Sequence, residues 1–495
     1  MPGEEELIQL RREKLERLRA RGVDPYPPRA TRSHSAAEAT AAFEAWERDG
    51  SDGDPPTVTV AGRIRALRDM GKASFIDLQD GAGRIQSYLK KDVIGDDAYV
   101  GLADLDLGDF ISVSGPLFRT RTQQVTVEAR SYQMLAKALR PPPEKWHGLE
   151  DVETRFRQRY MDLMSNDEVR DIFRVRAATL AAIRRFLDAR GFMEVEGPVL
   201  QPEAGGAAAT PFATHHRALD QDFYLRISLE LYLKRLIIGG YDRVYEMGRI
   251  FRNEGLDRKR NPEFTMLETY EAYADYEQVA RMTEEMISTV AREVTGSTTV
   301  RFGEHTIELT APWQRVTMRD ALIEHAGIDF EEFRTREKLL EELQRRHIEV
   351  DAGWSWGKLL DEAVSHYVEP KLIQPTFLLD YPAEISPLAK SKPGAPGIVE
   401  RFEPFVAGFE LGNAYTELND PIDQRQRFEA QARLKAAGIE EVETLDEDFL
   451  VALEHGMPPT GGLGIGIDRL VMALTGQQSI REVILFPALR EREGK

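Results

Sequence analysis

Short stretches in which apolar and polar residues alternate dominate the chain between residues 58 and 135. Turn-forming residues separate five of these stretches, which cover 58–67, 73–80, 84–91, 109–118 and 124–132. Alternation with a period of two is typical of half-buried β-strands. Five short strands in this order predict a five-stranded β-barrel of the OB type, although another small barrel or a sandwich would give the same pattern.

A second alternating region, residues 243–273, predicts two strands joined by a charged loop. Arg252 follows the first strand, and four side chains alternate along the second: Phe264, Met266, Glu268 and Tyr270. A period of two places those four on one face, with Phe264 and Glu268 roughly 13 Å apart. An aromatic ring, an arginine and a carboxylate on one such pair could hold a nucleobase, a phosphate and an ammonium group. The alternative is a half-buried hairpin with a solvated charged loop.

Helical periodicity accounts for much of the remaining chain. Apolar positions repeat over 167–190, and Gly191 is placed to end that helix. Residues 193–200 then predict a strand that ends at Pro198. Residues 4–21 form a charged amphipathic helix, and later helices are predicted at 276–296, 317–327 and 336–347. The polar stretch that follows residue 21 and the proline-rich stretch at 138–149 predict connecting segments.

Composition limits the classes of protein that are possible. The 495 residues carry a net charge of −19 and no cysteine, so disulfides and thiolate-bound zinc are excluded and a metal would need oxygen or histidine ligands. No run approaches the ~20 apolar residues of a membrane span. The N-terminus lacks the apolar core of a secretion signal. We therefore expect a cytoplasmic protein with no membrane partner.

Residues 243–273 closely resemble motif 2 of the class II aminoacyl-tRNA synthetases, in the form found in bacterial-type lysyl-tRNA synthetases. The helix at 167–190 with its following strand resembles motif 1, the glycine-spaced segment 461–476 resembles motif 3, and the predicted barrel resembles the anticodon-binding domain. The resemblance spans roughly residues 55–490.

The resemblance implies an α+β protein with an OB barrel followed by an antiparallel catalytic sheet flanked by helices. The expected divisions are an N-terminal helix and connector (1–55), the barrel (56–140), a linker (141–155) and the catalytic domain (156–495), with helical insertions at about 275–370.

The resemblance implies an ATP site. Arg252 would contact the α-phosphate and the substrate carboxylate, and Arg469 the γ-phosphate; these two are the expected catalytic residues. Phe264 would stack on adenine, and Glu254 would accept a hydrogen bond from the exocyclic amine of adenine. Further expected ATP contacts are Arg260, Asn261 and Glu410. Arg260 stands where this family usually has histidine. Glu403 and Glu410 match the magnesium-binding acids, with up to three Mg²⁺ ions per subunit, and magnesium prefers such oxygen ligands.

The resemblance also implies a lysine site. The expected lysine-binding residues are Gly206, Glu230, Arg252, Glu268, Tyr270, Asn413 and Glu417. Two carboxylates that share a site repel each other unless a cation lies between them, and a lysine ε-ammonium supplies one. Such a pocket would reject aspartate, and no cationic residue is expected within it. Leu229, next to Glu230, stands where the family usually has proline.

In the barrel, Phe75 and Gln86 match positions that contact the anticodon, whereas Gln124 replaces a glutamate found in many relatives. Because the whole chain is acidic, tRNA would have to meet a local basic surface, and segment 57–91 carries seven lysine and arginine residues against three acids. The function implied is that of a homodimeric lysine–tRNA ligase that uses ATP and Mg²⁺. An aspartate- or asparagine-specific relative, a non-catalytic RNA-binding paralogue and a relative that lysylates protein are the alternatives.

Overall fold

Six strands between residues 57 and 136 form the sheet of the first of two compact units, Met1–Glu150. The computed structural model describes residues 3–50, 53–142, 149, 151–436 and 445–490. The strands are β1 (Thr57–Asp69), β2 (Ala73–Gln79), β3 (Arg84–Lys90), β4 (Phe110–Arg119), β5 (Val125–Glu128) and β6 (Ser131–Ala136). Pairing of β1 with both β2 and β4 closes the sheet. The fifth predicted stretch forms two strands because Ala129 and Arg130 interrupt it.

Helices of the first unit are α1 (Glu4–Ala20), α2 (Ala36–Arg48), α3 (Lys91–Ile94) and α4 (Asp96–Gly101), with a 3₁₀ turn at Leu102–Asp104. Helix α2 corrects the prediction of a plain connector after residue 21. Ser35 and Glu38 form a capping box at its start, and Phe43 lies buried on its inner face. A serine followed three residues later by glutamate is a sequence signal for a helix start. Residues 143–148 and 150 of the predicted linker lie outside the described residues.

Nine strands form the main sheet of the second unit, Asp151–Lys495. They are β7 (Met193–Glu194), β11 (Arg243–Phe251), β12 (Glu263–Ala272), β15 (Gln314–Thr317), β16 (Thr376–Pro382), β17 (Ile398–Val406), β18 (Phe409–Glu410), β19 (Gly412–Thr416) and β20 (Thr460–Gly466). Smaller pairings involve β8 (Leu200–Gln201), β9 (Ala213–His216), β10 (Gln221–Leu225), β13 (Thr299–Phe302) and β14 (His305–Glu308). The central pairings are antiparallel, and β7 and β15 pair in parallel at the two edges.

The strand predicted at 193–200 is only partly present. Met193–Glu194 pairs with β11 and Leu200–Gln201 with β10, and the residues between them leave the ladder. Gly197 donates its N–H to Glu246 Oε2 at 2.8 Å instead of to a neighbouring strand. Pro198 has no N–H to donate to a ladder, which explains the interruption.

Helices of the second unit include α5 (Val152–Arg157), α6 (Arg159–Ser165), α7 (Asp167–Asp188), α8 (Glu230–Ile238), α9 (Tyr276–Thr295), α10 (Met318–Ala326), α11 (Arg336–Arg345), α12 (Trp356–Tyr367), α13 (Pro421–Ala436), α14 (Glu447–Glu454), α15 (Ile467–Thr475) and α16 (Ile480–Val483). Two 3₁₀ turns lie at Glu369–Lys371 and Ala383–Ile385. The region expected to be a helical insertion also carries β13, β14 and β15, and α12 was not predicted. Within the described residues, no helix is long and apolar enough to cross a membrane.

Candidate active site

Strand β20 forms the floor of the site because it lies between β12 and β19 and carries glycine at four of its seven positions. Gly464 is in register with Glu268 on one side and with Asn413 on the other. A Cβ at Gly462 would overlap Glu417 Oε1 and lie 2.7 Å from Tyr270 Cε1. The glycines therefore let side chains from both neighbouring strands meet above the central strand.

Glu268 is fixed by three hydrogen bonds. Ser228 Oγ and the Leu229 N–H donate to its Oε1 at 3.0 and 2.9 Å, and Tyr270 Oη donates to Oε2 at 3.0 Å. Burial raises the pKa of Glu268 to about 7, with the charge of Glu230 acting in the same direction and the three donors against it. Leu229 thus gives the carboxylate a donor that proline in its place would lack.

Glu417 lies across β20 from Glu268 and is more deeply buried. Apart from the close ion pair of Oε2 with Lys234, neither of its oxygens has a hydrogen-bond partner among the described residues. Burial raises the pKa of Glu417 to about 8; Lys234 opposes that shift, and the charges of Glu230 and Glu268 add to it. A buried carboxylate with so little internal compensation can accept a cation from a ligand.

Lys234 brings a cation to the pocket, which corrects the expectation that none was present. Its Nζ donates to Glu230 Oε1 at 2.5 Å, one turn away on α8, and it also contacts Glu417. Glu230, Lys234, Glu268 and Glu417 are 5%, 0%, 3% and 0% exposed. Burial lowers the pKa of Lys234, but the two carboxylates outweigh that effect and raise it overall, so the ammonium stays charged.

The remaining residues predicted to contact lysine lie around this cluster. Gly206 has φ +84°, and a Cβ there would lie 3.1 Å from Ser228 Oγ and 3.3 Å from the Glu230 Cβ. A side chain at Gly206 would therefore fill the space beside Glu230. Asn413 Oδ1 accepts a hydrogen bond from Arg401 Nε at 3.1 Å, which orients its amide nitrogen away from Arg401.

Arg252 and Phe264 lie together at the loop end of the β11–β12 hairpin. The Arg252 guanidinium carbon is 5.4 Å from the centre of the Phe264 ring, and Arg252 Nε donates to the Ile227 carbonyl at 3.2 Å. Glu254 and Arg260 are exposed in the loop, where Arg260 lies 3.8 Å from Asp257. The structure therefore places the ring and the guanidinium as the hairpin pattern predicted.

Asn261 is buried, and its amide already has internal partners. Its Nδ2 donates to the Glu263 carbonyl at 2.5 Å, and its Oδ1 accepts from the Ala488 N–H at 3.2 Å. These bonds tie the hairpin loop to the segment after α16. A nucleotide contact through this side chain would have to compete with them.

Two acids and two arginines lie near the β17–β18 turn. Arg469 donates to Glu410 Oε2 at 3.0 Å, and Glu403 accepts from Tyr381 Oη at 2.7 Å and from Arg401 at 2.6 Å. No group of three or more potential metal-ligating side chains occurs in the part of the chain that the structure describes. Two carboxylates nevertheless suit Mg²⁺, which keeps several waters and takes other ligands from substrate phosphates. Because these donors are oxygens and belong to adjoining strands, the residues fit that ion.

In the first unit, Phe75 is half-buried and stacks on Tyr88, with ring centres 4.5 Å apart. Gln86 is buried, donates to Asp77 at 3.3 Å and accepts from Thr126 at 3.2 Å. Phe75 therefore presents part of a ring to solvent, whereas Gln86 is largely engaged inside the sheet. Gln124 is exposed in the turn between β4 and β5.

Sequence reasoning missed Lys234, Ser228 and Arg401. The spacing of four residues between Glu230 and Lys234 could have predicted their contact, because residues four apart lie on the same face of a helix. No local sequence pattern predicts the contact of Lys234 with Glu417, which lies 183 residues further along the chain.

A family model described as "tRNA synthetases class II (D, K and N)" matches residues 151–490, and one described as "OB-fold nucleic acid binding domain" matches residues 58–135. The chain belongs to the class II tRNA synthetases. The predicted fold class, a barrel of the OB type followed by a class II catalytic domain, is thereby confirmed, with six strands in place of five.

Several relatives named lysine–tRNA ligase are similar to this class II chain over its whole length. The protein from Dehalococcoides mccartyi (strain 195) is 55% identical over 495 residues, which cover 99% of each chain. That from Roseiflexus castenholzii is 55% identical, again over 99% of each chain. That from Moorella thermoacetica is 52% identical and covers all of this chain and 99% of its own.

Proposed function

We propose that this chain is a lysine–tRNA ligase. It activates L-lysine with ATP to form lysyl-adenylate and pyrophosphate, and then transfers lysine to the 3′ end of tRNA(Lys). The observation that carries the proposal is the buried cluster of Glu268, Tyr270 and Glu417. The full-length likeness to proteins named lysine–tRNA ligase supports the same substrate.

The net charge of the pocket selects the amino acid. The pocket contains three carboxylates, those of Glu230, Glu268 and Glu417, and one internal cation, Lys234, which contacts Glu230 and Glu417. When ionised, the pocket has an excess of two negative charges. Lysine brings two ammonium groups, whereas aspartate and asparagine bring only one. The cation needed by an aspartate-specific site is present as Lys234, but two carboxylates already neutralise it, so the aspartate or asparagine alternative is disfavoured.

At the other end of the site, the side chains suit an anionic transition state. Arg252 holds the lysine carboxylate and the α-phosphate, because its planar fork can bind two oxygens at once. Phe264 stacks on adenine, and Glu254 accepts a hydrogen bond from the adenine amine. Arg469 faces the γ-phosphate. Asn261, Arg260 and Glu410 complete the proposed ATP contacts. Fixed cations at the reacting phosphate stabilise charge as it develops.

Glu403 and Glu410 would hold magnesium, up to three ions per subunit, together with the phosphates of ATP. Held there, magnesium would supply positive charge that neutralises the phosphate oxygens. In the amino-acid site, Glu230 and the Gly206 backbone bind the α-amine of lysine. Asn413 and Arg252 bind the carboxylate of lysine. Arg252, Glu410 and Arg469 are all present, which disfavours a non-catalytic RNA-binding paralogue.

We further propose tRNA(Lys) as the partner of the OB unit, with Phe75 and Gln86 at the anticodon, since stacking of a base on an aromatic ring is sequence-tolerant and favourable. Helix α7 and the segment that follows it would form a homodimer interface. The domain limits of the sequence prediction (56–140 and 156–495) and a cytoplasmic location belong to the same proposal.

ATP–pyrophosphate exchange with each of the twenty amino acids tests the function. Lysine alone should support rapid exchange, because it alone supplies two ammonium groups at the right separation for the two ends of the pocket. Comparable exchange with aspartate or asparagine would show that the pocket has been misassigned. Exchange with no amino acid would favour the non-catalytic alternative.

A further inference from the structure

Lys234 lies in the buried pocket, but the proposed function gives it no contact with the substrate. Its side chain is completely buried, and its ammonium contacts carboxylates from two separate segments of the chain. Glu230 begins α8, and Glu417 follows β19 directly. The Lys234 Nζ also lies 5.9 Å from the centre of the Phe449 ring on α14. A fully buried ammonium is costly unless it is paired, so its position here is strongly determined.

The two carboxylates that Lys234 contacts have distinct expected tasks. Glu230 is proposed to take the α-amine of the amino acid, and Glu417 its side-chain ammonium. Lys234 therefore contacts a group at each end of the substrate site. Apart from its contact with Lys234, the Glu417 carboxylate has no hydrogen-bond partner among the described residues, in contrast to Glu268 with its three donors. Lys234 is thus the principal internal group that holds Glu417 in place.

The balance of charges in the lysine-loaded pocket also requires Lys234. The loaded pocket contains the carboxylates of Glu230, Glu268 and Glu417, the two ammonium groups of bound lysine, and Lys234. With Lys234 the three negative charges meet three positive charges. Without it, the loaded pocket keeps one uncompensated buried carboxylate, which would take up a proton or turn away from the substrate.

We propose that Lys234 is a positioning residue for amino-acid recognition: an internal ammonium that fixes Glu230 and Glu417 and completes the charge balance of the lysine-loaded pocket. The inference rests on the proposed function, because it takes lysine as the substrate. Lys234 acts through the two carboxylates, so its loss should weaken lysine binding and leave the ATP end of the site as it was.

The Lys234→Ala variant tests the proposal by kinetics and by chemical rescue. The KM for lysine in pyrophosphate exchange should rise tenfold or more, while the KM for ATP stays within twofold of wild type. Propylammonium has the atoms that the substitution removes, and it should restore part of the lost affinity for lysine. The neutral molecule 1-propanol has nearly the same shape and should not.

A matched control exists in the first unit. Lys137 is also completely buried, and its ammonium pairs with Asp106 and Asp109. Lys137→Ala should lower thermal stability but leave the KM for lysine unchanged. If Lys234→Ala cannot be isolated as a folded protein, Lys234→Gln carries the same kinetic test, because it removes the charge and keeps a hydrogen-bond donor on a side chain one atom shorter.

Three results would overturn the proposal: an unchanged KM for lysine, rescue by 1-propanol as effective as rescue by propylammonium, or an equal rise in KM for lysine in the Lys137→Ala control. The wild-type enzyme separates this inference from the function itself. If wild-type protein does not exchange pyrophosphate with lysine, the proposed function has failed. If it does, while Lys234→Ala has normal lysine kinetics, only the role of Lys234 is wrong.

Discussion

The two ends of the candidate site differ in how far the protein alone determines their geometry. At the amino-acid end, Glu230, Glu268 and Glu417 are almost completely buried. At the nucleotide end, Glu254 and Arg260 are exposed and Arg252 is half-buried. Specificity needs buried groups that a wrong substrate leaves unpaired, whereas ATP brings its own charge and can organise exposed side chains around it.

Arg252 is an example from the nucleotide end. It donates one hydrogen bond from Nε, and among the described residues neither of its Nη atoms has a hydrogen-bond partner. Glu268, in contrast, accepts three bonds before any substrate arrives. The amino-acid end is therefore expected to be set before binding, and the nucleotide end to be completed by it.

The largest effect should come from the amino-acid end. Removing one partner of a buried charge pair costs ~2–5 kcal/mol, partly because the other charge is left unpaired. Glu268→Gln and Glu417→Gln should each raise the KM for lysine steeply and leave the KM for ATP nearly unchanged. Because both act on one ammonium, their effects should not add in the double variant.

A matched control for these substitutions is Glu342→Gln, which removes a buried glutamate of α11 that is paired with Arg345 and with Arg346 just after the helix. It should not alter the KM for lysine. If either pocket variant leaves the KM for lysine within about twofold of wild type, a difference of only ~0.4 kcal/mol, that glutamate does not contact the substrate side chain.

At the nucleotide end, Arg252→Ala should act on rate. Loss of a donor to developing charge lowers kcat by ~10²–10³. Pyrophosphate exchange at saturating lysine measures this. Arg319→Ala, which removes an arginine paired with Asp329 outside the site, is the control and should keep the wild-type kcat. A normal kcat for a folded Arg252→Ala protein would assign that arginine a structural role.

Leu229→Pro should have the smallest effect. Proline removes the N–H that donates to Glu268 at 2.9 Å, while the bonds from Ser228 and Tyr270 remain. The loss of one hydrogen bond to a charged group, about 1.5 kcal/mol, should raise the pKa of Glu268 further. The KM for lysine should then increase several-fold near pH 7 and less at pH 8.5. Equal increases at both pH values would mean that the N–H does not act on the ionisation of Glu268.

The sequence predicted much of this arrangement because strand alternation directly determines which residues share a face. The β11–β12 hairpin places Phe264 beside Arg252, and Glu268 beside Tyr270, as its period of two indicated. The internal partners of these residues could not be predicted in that way. Lys234 meets Glu417 only because β19 and α8 pack around the same pocket, and Asn261 meets Ala488 for a similar reason. Such contacts depend on tertiary packing and have no local signature.

If ionised, buried carboxylates recognise the amino acid, the KM for lysine must depend on pH in a way that the KM for ATP does not. Burial raises the pKa of Glu268 to about 7 and that of Glu417 to about 8, so both carry protons as the pH falls below those values. The lysine ammonium binds the ionised forms. As the pH is lowered from 8.5 to 6, the KM for lysine should rise, by about tenfold per pH unit for each proton that must leave. The KM for ATP should change little. If the KM for lysine stays constant over this range, or rises in parallel with the KM for ATP, ionised carboxylates do not recognise the amino acid.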